Sequence, residues 1–224
     1  MNPYHPYHKV IAGANTLLGA EGLPELLLRY LLDLPEEGYE PPSDNRYPRA
    51  RLARLLWYDG PGALSGPLPT AEQKRSLLFD PAFPVVDTAE LRELHPKGYR
   101  LYAQKAVLPA QTAAQTVVRC FLNRIYDRSS FVTAIGVRFE ILVNTGLETR
   151  VTGSDLPLET RAFLVEQSIR EALSGVNLTG LGTVSFSRAD HSDNGSGLLS
   201  DSGVNVGRWV CCSVQWAEGE EGRC

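Results

Sequence analysis

The stretch His191 to Gly197 (HSDNGSG) holds an imidazole, a carboxylate and a hydroxyl, the groups used in nucleophilic catalysis. A catalytic triad holds each group on a separate rigid element. Here all three lie in a run from Asp190 to Gly203 that is rich in serine, aspartate and glycine, and this composition predicts a mobile loop between two strands. We therefore expect no catalytic residues. A hydrolase that uses His191 with Ser192 or Asp193 is the alternative from a different functional class.

The N-terminal stretch PYHPYHK places His5 and His8 three residues apart. A metal site needs a third ligand and a fixed backbone, whereas Pro3 and Pro6 favour an extended chain. We interpret the stretch as a terminus that is mobile or docked on a partner, and we predict no metal site.

Two glycine-rich stretches lack the features of a phosphate-binding loop. Asp59 to Gly66 (DGPGALSG) has neither the lysine followed by Ser/Thr nor the G-x-G-x-x-G spacing. Thr179 to Thr183 (TGLGT) follows a predicted helix and enters a predicted strand, whereas a phosphate site needs glycines at a helix N-terminus. No cofactor is therefore predicted.

Composition and charge indicate an ordinary globular protein. The chain has 224 residues, of which 43% are hydrophobic and 21% charged. No apolar run reaches the ~18–20 residues that cross a bilayer, and the N-terminus lacks the features of a signal peptide. The net charge is −4, and the basic stretch Arg46 to Arg54 is more typical of arginines paired with acids than of a nucleic-acid site. We expect synthesis in the cytoplasm and no membrane association.

The cysteines predict neither a disulfide nor a zinc site. Cys120, Cys211 and Cys212 lie in apolar strand-like runs, where a free cysteine acts as a small hydrophobe. Cys224 is the last residue of the sequence, and the chain has no C-x-x-C motif.

The distribution of proline divides the chain near residue 105, because fourteen of the fifteen prolines lie at or before Pro109. We predict an N-terminal helical and extended arm (residues 1–105), an α+β core domain (106–217) and a disordered tail (218–224). In the arm the pattern predicts helices at Lys9 to Leu18 and Leu23 to Leu34, a linker at Pro35 to Pro48, a helix or strand at Arg49 to Tyr58, a loop at Asp59 to Pro69 and a strand at Tyr99 to Val107.

The C-terminal half predicts the order β-β-α-β-β. The strands are Thr116 to Tyr126, Phe131 to Asn144, Gly182 to Arg188 and Val204 to Trp216. The helix runs from Pro157 to Leu173, with Asp155 as N-cap and Gly175 at the C′ position. The simplest packing is an antiparallel sheet with this helix across its apolar face, an α+β fold.

The stretch Phe131 to Asn144 (FVTAIGVRFEILVN) has an apolar row at its odd positions, which we expect to face the helix. The other face is predicted to be wet or covered by another subunit, with Arg138, Glu140, Asn144 and Arg208 as candidate subunit-interface residues. Reversing the charges of Arg138 and Glu140 is expected to leave the fold intact and to disturb assembly.

The C-terminal half resembles neck proteins of tailed bacteriophages, closest to the tail-terminator and head–tail joining families. The resemblance lies in FEILVN, the helix pattern R-x-x-x-V-x-x-x-I-R-E-A-L, LTGLGTVSFS and the final VGRWVCCSVQW, and it covers roughly Ala114 to Ala217. It implies a small α/β or α+β domain that assembles into a ring at the head–tail junction, without enzymatic activity or cofactor.

The resemblance also implies the partners and location of the chain. It indicates a structural virion protein that forms a homo-oligomeric ring, most simply a hexameric tail terminator that caps the tail tube. The alternative within the same class is a connector or adaptor that binds the portal, often with twelvefold symmetry. Other neck, portal or tail-tube proteins are the expected partners, and DNA passes through the ring without specific binding. A protein-binding module of a bacterial host is a further alternative.

Overall fold

The computed structural model of the chain describes residues 21–32, 43–104, 114–129, 132–148, 160–178, 182–190, 192–199 and 204–217. Several predictions lie outside these residues: the helix at residues 9–18, His5 and His8, most of the linker at residues 35–48, His191, Cys224 and the tail at residues 218–224. The predicted boundary near residue 105 falls at the start of residues 105–113, which are also outside the described part.

The described residues contain helices α1 (Leu23–Leu31), α2 (Pro48–Trp57), α3 (Ala71–Arg75), α4 (Ala89–Leu94) and α5 (Arg161–Leu173), with a 3-10 turn at Ala63–Ser65. The strands are β1 (Leu101–Tyr102), β2 (Thr116–Ser129), β3 (Val132–Asn144), β4 (Asn177–Leu178), β5 (Gly182–Ser185), β6 (Gly195–Leu199) and β7 (Asn205–Ala217).

The strands form a mixed sheet in the order β1-β2-β3-β7-β5-β4, and β6 pairs with β7 on the same edge as β5. The predicted α+β class is confirmed. The four strands predicted for the C-terminal half pair antiparallel, whereas β1 from the N-terminal half joins β2 in parallel and makes the sheet mixed. The four strands predicted for the C-terminal half correspond to β2, β3, β5 and β7, whereas β4 and β6 are additional.

The odd-numbered row of β3 packs in the core as predicted. Ile135, Val137, Phe139, Ile141 and Val143 are fully buried in one cluster with the apolar residues of α5. Burying one such side chain contributes about 1.5–3 kcal/mol, so this row is a main source of the stability of the fold.

Helices α1 and α2 belong to the same apolar cluster as the sheet. Helix α1 buries one face of four leucines and ends at Leu31, earlier than the predicted Leu34. The stretch left open between helix and strand forms α2, which packs against α5 and buries Leu52, Leu55 and Leu56. The described residues of the two halves therefore share one hydrophobic core.

Arg161 links α5 to the end of α2. Its buried guanidinium donates hydrogen bonds to the carbonyl oxygens of Leu55 at 2.7 Å and Tyr58 at 3.0 Å, and to that of Gly60. The last carbonyls of a helix lack intrahelical donors, and they carry the negative end of the helix dipole. Arg161 satisfies these groups from a distant part of the chain. Burial lowers the pKa of this guanidinium, and the nearby carboxylate of Asp59 opposes the shift.

The N-terminus of α5 differs from the prediction. The helix begins at Arg161, with Thr160 extended at the N-cap position, whereas the predicted start Pro157 and the predicted N-cap Asp155 lie outside the described residues. The carboxylate of Glu148 accepts the backbone N–H of Ala162 at 3.0 Å and so caps the helix from the end of the turn that follows β3. The C-terminal prediction is confirmed, since the helix ends at Leu173 and Gly175 has a φ of 75°.

Glu148→Gln is expected to stabilise the fold increasingly as the pH rises. Burial raises the pKa of Glu148, and the hydrogen bonds from Thr160 and Ala162 only partly oppose this shift. The folded state therefore binds more protons than the unfolded state above the ordinary glutamate pKa of about 4.3, so the contribution of Glu148 to the free energy of unfolding falls as pH rises. Glutamine keeps an acceptor for Ala162 but does not titrate.

Urea unfolding of the wild type and Glu148→Gln at several pH values between about 4 and 7 measures this effect. The free energy of unfolding of the variant minus that of the wild type should grow with pH. A difference that does not change with pH over this range would contradict the prediction. A pH-independent contribution added to a difference that grows with pH would reflect only the lost charge at the helix N-terminus.

Candidate subunit interface

The sheet face away from α5, here called the outer face, carries an ion-pair network on β2 and β3. Glu140 lies directly opposite Arg119, and its carboxylate accepts hydrogen bonds from Arg119 Nη2 at 2.7 Å and Arg138 Nε at 3.0 Å. Arg138 lies two residues from Glu140 on the same strand, so both side chains point to the same face. Two of the predicted interface residues are therefore brought together, along with Arg119, which the sequence reasoning missed.

Trp209 extends this network onto β7. It lies opposite Glu140 in the register, and the guanidinium carbon of Arg138 is 4.8 Å from the centroid of its ring. A Cβ atom at Gly197 of β6 would lie 2.9 Å from the indole nitrogen, so the ring lies against a position that needs glycine. A cation–π contact of this kind contributes about 0.5–1 kcal/mol when exposed.

Burial within the network is uneven. The side chain of Glu140 is 7% exposed, whereas those of Arg119 and Arg138 are 17% and 25% exposed. The carboxylate is thus shielded, and the arginines supply the charge that solvent or a partner meets. The expectation that reversing Arg138 and Glu140 leaves the fold intact is therefore revised, because an arginine at position 140 would lie beside Arg119.

Asn144 has a local role at the end of β3. Its side-chain oxygen accepts the backbone N–H of Gly146 at 3.0 Å, and its carbonyl accepts that of Leu147 at 2.8 Å. The side chain therefore forms the turn that follows the strand.

The prediction that Arg208 shares a face with Arg138 is wrong. Arg208 lies opposite Ile141 on the core face, where Nε donates to Glu166 of α5 and the guanidinium carbon lies 5.5 Å from the ring centroid of Phe163. The signal was present in the sequence, because Arg208 belongs to the even-numbered row of β7, in which Val206 and Val210 are apolar.

The run predicted as a mobile loop contains strand β6 and an anchored turn. Asn194 is buried and donates to the carbonyls of Ser185 and Ser187 at 3.1 and 2.9 Å and to the hydroxyl of Ser213 at 3.0 Å. This turn also brings Asp193 to within 3.5 Å of Arg124. The mobile-loop prediction is therefore wrong for Gly195–Leu199, and its composition reflects a tight turn and the glycine at position 197 beneath Trp209.

A β-bulge in β2 determines which side chains reach the outer face. Leu122 lies opposite Val137 and Arg124 opposite Gly136, so Asn123 is an extra residue between two paired positions. Because of this residue, Arg119 and Arg124 share the outer face although one is five positions after the other. The strand then continues to Ser129, beyond its predicted end at Tyr126.

The three described cysteines are buried free thiols, as predicted. Burial raises the pKa values of Cys120, Cys211 and Cys212, although the Arg138 charge partly opposes the shift at Cys211. A thiol with a raised pKa is a poor nucleophile, so these cysteines act as packing residues.

Within the described ranges, no group of three His, Cys, Asp or Glu side chains could hold a metal ion. None of the helices there is long and apolar enough to cross a membrane. No protein-family model and no curated protein matches this chain. The resemblance to phage neck proteins therefore stays a hypothesis based on element order and turn glycines.

Proposed function

We propose that this chain is a structural subunit of the neck of a tailed-bacteriophage virion and assembles with its own copies into a ring at the head–tail junction. The observation that carries the proposal is a sheet whose edge, among the described strands, is largely open at both ends. The sequence resemblance supports the neck as the location, and the two edges support the ring.

At one end of the sheet, β1 pairs with two residues of the 14-residue β2. Further along β2, Ile125 is exposed. At the other end, β6 pairs with β7 and carries Leu198, which is 74% exposed. Among the strands that the structure describes, none covers the outer edge of β6 or the edge of β2 beyond Arg119. Open edges with exposed apolar side chains are sites where another chain adds.

The two edges are different surfaces at opposite ends of one sheet. A contact between them is heterologous, and repeating such a contact closes into a ring when the rotation per subunit allows it. In this role the chain is not an enzyme and needs no cofactor. Its partners are its own copies and the adjoining neck, portal or tail-tube proteins, while DNA passes through without specific binding.

The purified wild type tests the proposal by light scattering coupled to size exclusion and by electron microscopy. We expect ring-shaped particles, and the number of subunits distinguishes a hexameric tail terminator from a twelvefold connector. A chain that stays monomeric at high concentration and binds no tail-tube or portal protein would overturn the proposal.

Leu198→Asp is expected to weaken self-association by roughly tenfold or more, because it places a charge at the exposed edge of β6. Ser65→Asp is the matched control, since it adds the same charge at an exposed position in the N-terminal half. Analytical ultracentrifugation measures both variants. Equal association of Leu198→Asp and the control would show that the β6 edge is not a contact.

A further inference from the structure

Residues 80–94, here called the acidic lobe, protrude from the N-terminal half. They carry Phe83, Val85 and Leu94, which are 51%, 62% and 65% exposed, and helix α4 within them buries none of its residues. These are three of the seven large apolar side chains that are exposed in the described ranges. Apolar side chains concentrated on one protruding segment mark a surface that another molecule covers.

The acidic lobe is held in shape although it buries little. Tyr99 donates its hydroxyl hydrogen to the carbonyl of Phe83 at 2.7 Å, and His95 Nδ1 lies 2.7 Å from the carbonyl oxygen of Ser76. The hydroxyl of Thr88 caps α4 by accepting the N–H of Leu91 at 3.2 Å. A lobe that is already formed loses little conformational entropy when it docks, so its exposed groups can contribute fully to binding.

The charge of the lobe indicates what covers it. It contains Asp80, Asp87, Glu90 and Glu93 against the single Arg92. An apolar and acidic surface fits a partner with arginines around an aromatic ring, because arginine pairs with carboxylates and its stem packs on apolar groups.

The outer face of the same protein offers such a surface. Arg124, Arg138 and Arg188 lie on this face together with Trp209, and we call these four residues the arginine face. Arg138 stacks on the indole, and the guanidinium of Arg188 lies against Gly195 of β6. The nearby acids are more shielded, since Asp193 is 35% exposed where its partner Arg124 is 64% exposed, and Glu140 is buried. The carboxylate of Asp190 accepts a hydrogen bond from the hydroxyl of Ser185.

The lobe and much of the arginine face belong to opposite ends of the sheet. The lobe leaves the protein beside β1, where the N–H of Phe79 donates to the carbonyl of Leu101 at 2.8 Å. Trp209 and Arg188 lie at β7 and at the turn before β6. A lobe that reaches forward from one subunit would therefore meet the arginine face of the next subunit in a head-to-tail arrangement.

We infer that the acidic lobe of one copy of this chain docks on the arginine face of a second copy. The inference rests on the proposed function in that it adds, to the contact between sheet edges, a second contact between neighbouring subunits of the ring. Glu90 and Glu93 pair with the arginines, and Phe83 and Leu94 pack on Trp209 and the arginine stems.

A charge exchange tests the contact. Glu90→Lys with Glu93→Lys reverses the lobe, and Arg124→Glu with Arg188→Glu reverses the face. Each double variant alone is expected to associate at least tenfold more weakly than the wild type, because like charges meet. Mixed in equal amounts, the two variants should form rings again, since each lobe then meets a face of opposite charge. Combining all four substitutions in one chain should also restore assembly.

The matched control is Glu21→Lys with Glu72→Lys, two exposed glutamates outside the lobe, which should assemble as the wild type does. Circular dichroism checks that each variant folds. If the face variant does not fold, the lobe variant decides alone, because α4 contributes no buried residue. If the lobe variant forms rings as readily as the wild type, this inference is overturned and the proposed function still stands. Failure of the mixture to assemble, with both variants folded, overturns the arginine face as the partner. A wild type that stays monomeric overturns both proposals.

Discussion

Arg161→Met is expected to lower the free energy of unfolding by about 3 kcal/mol or more, because the carbonyl oxygens of two residues at the end of α2 and of Gly60 just beyond it lose a charged donor in a buried site. Methionine matches much of the length of arginine, so the loss does not reflect a large cavity. The helix dipole of α2 also loses the cation at its negative end. Because the hydrogen bonds join residues about a hundred positions apart, the N-terminal helices should loosen from α5 first.

Urea unfolding followed by circular dichroism measures the loss, and hydrogen exchange of α2 amides locates it. Arg161→Lys keeps the charge but not the fork of donors, so its loss should fall between those of the wild type and Arg161→Met. Arg29→Met is the exposed control and should change stability by less than about 1 kcal/mol. An Arg161→Met protein as stable as this control would contradict the structural role of Arg161.

Glu140→Ala is expected to lower the free energy of unfolding by roughly 2–4 kcal/mol. The substitution leaves Arg119 and Arg138 facing each other across a site that is mostly buried, without the carboxylate that each contacts at 3.0 Å or less. Much of this loss is repulsion between like charges, so added salt should recover part of it. Glu140→Gln keeps the shape and should lose nearly as much.

Glu25→Ala is the matched control for Glu140, because Glu25 pairs with Arg29 at 2.8 Å on the exposed surface of α1. Its expected loss is within about 1 kcal/mol. Urea is the suitable denaturant, since guanidinium chloride would screen the charges. A Glu140→Ala protein that unfolds at the same urea concentration as Glu25→Ala would show that the network contributes little, and the outer-face charges would then be free for the assembly role first predicted for them.

The long strands and the core face were predictable because they depend on alternation within one segment. The row Ile135 to Val143 has a strict period of two, and its burial follows from that period alone. The same rule would have placed Arg208 correctly, since Val206 and Val210 in its row are apolar and lie opposite core residues of β3. The error came from treating charge, rather than position in the row, as the guide to exposure.

The contacts that join distant segments were not predictable from local patterns. Nothing near Glu148 in the sequence indicates that its carboxylate caps a helix that begins at Arg161. Arg161 reads as an ordinary helical arginine, and its acceptors on α2 belong to the other half of the chain. Strand β6 was missed because GSGLL has little strand propensity, whereas Gly197 is required by the ring of Trp209.

The bulge in β2 determines how the length of this chain can vary. Deleting Asn123 would leave Leu122 opposite Val137 and Arg124 opposite Gly136, so every side chain of the strand would keep its face. Deleting Cys120 would turn the residues between the deletion and the bulge to the wrong face. A second register shift between Asp127 and Ser129 makes Arg128 an extra residue in the same way. Among natural variants of this sequence, insertions and deletions in β2 should therefore concentrate at Asn123 and Arg128, where the strand can lose a residue without exchanging its core for its surface.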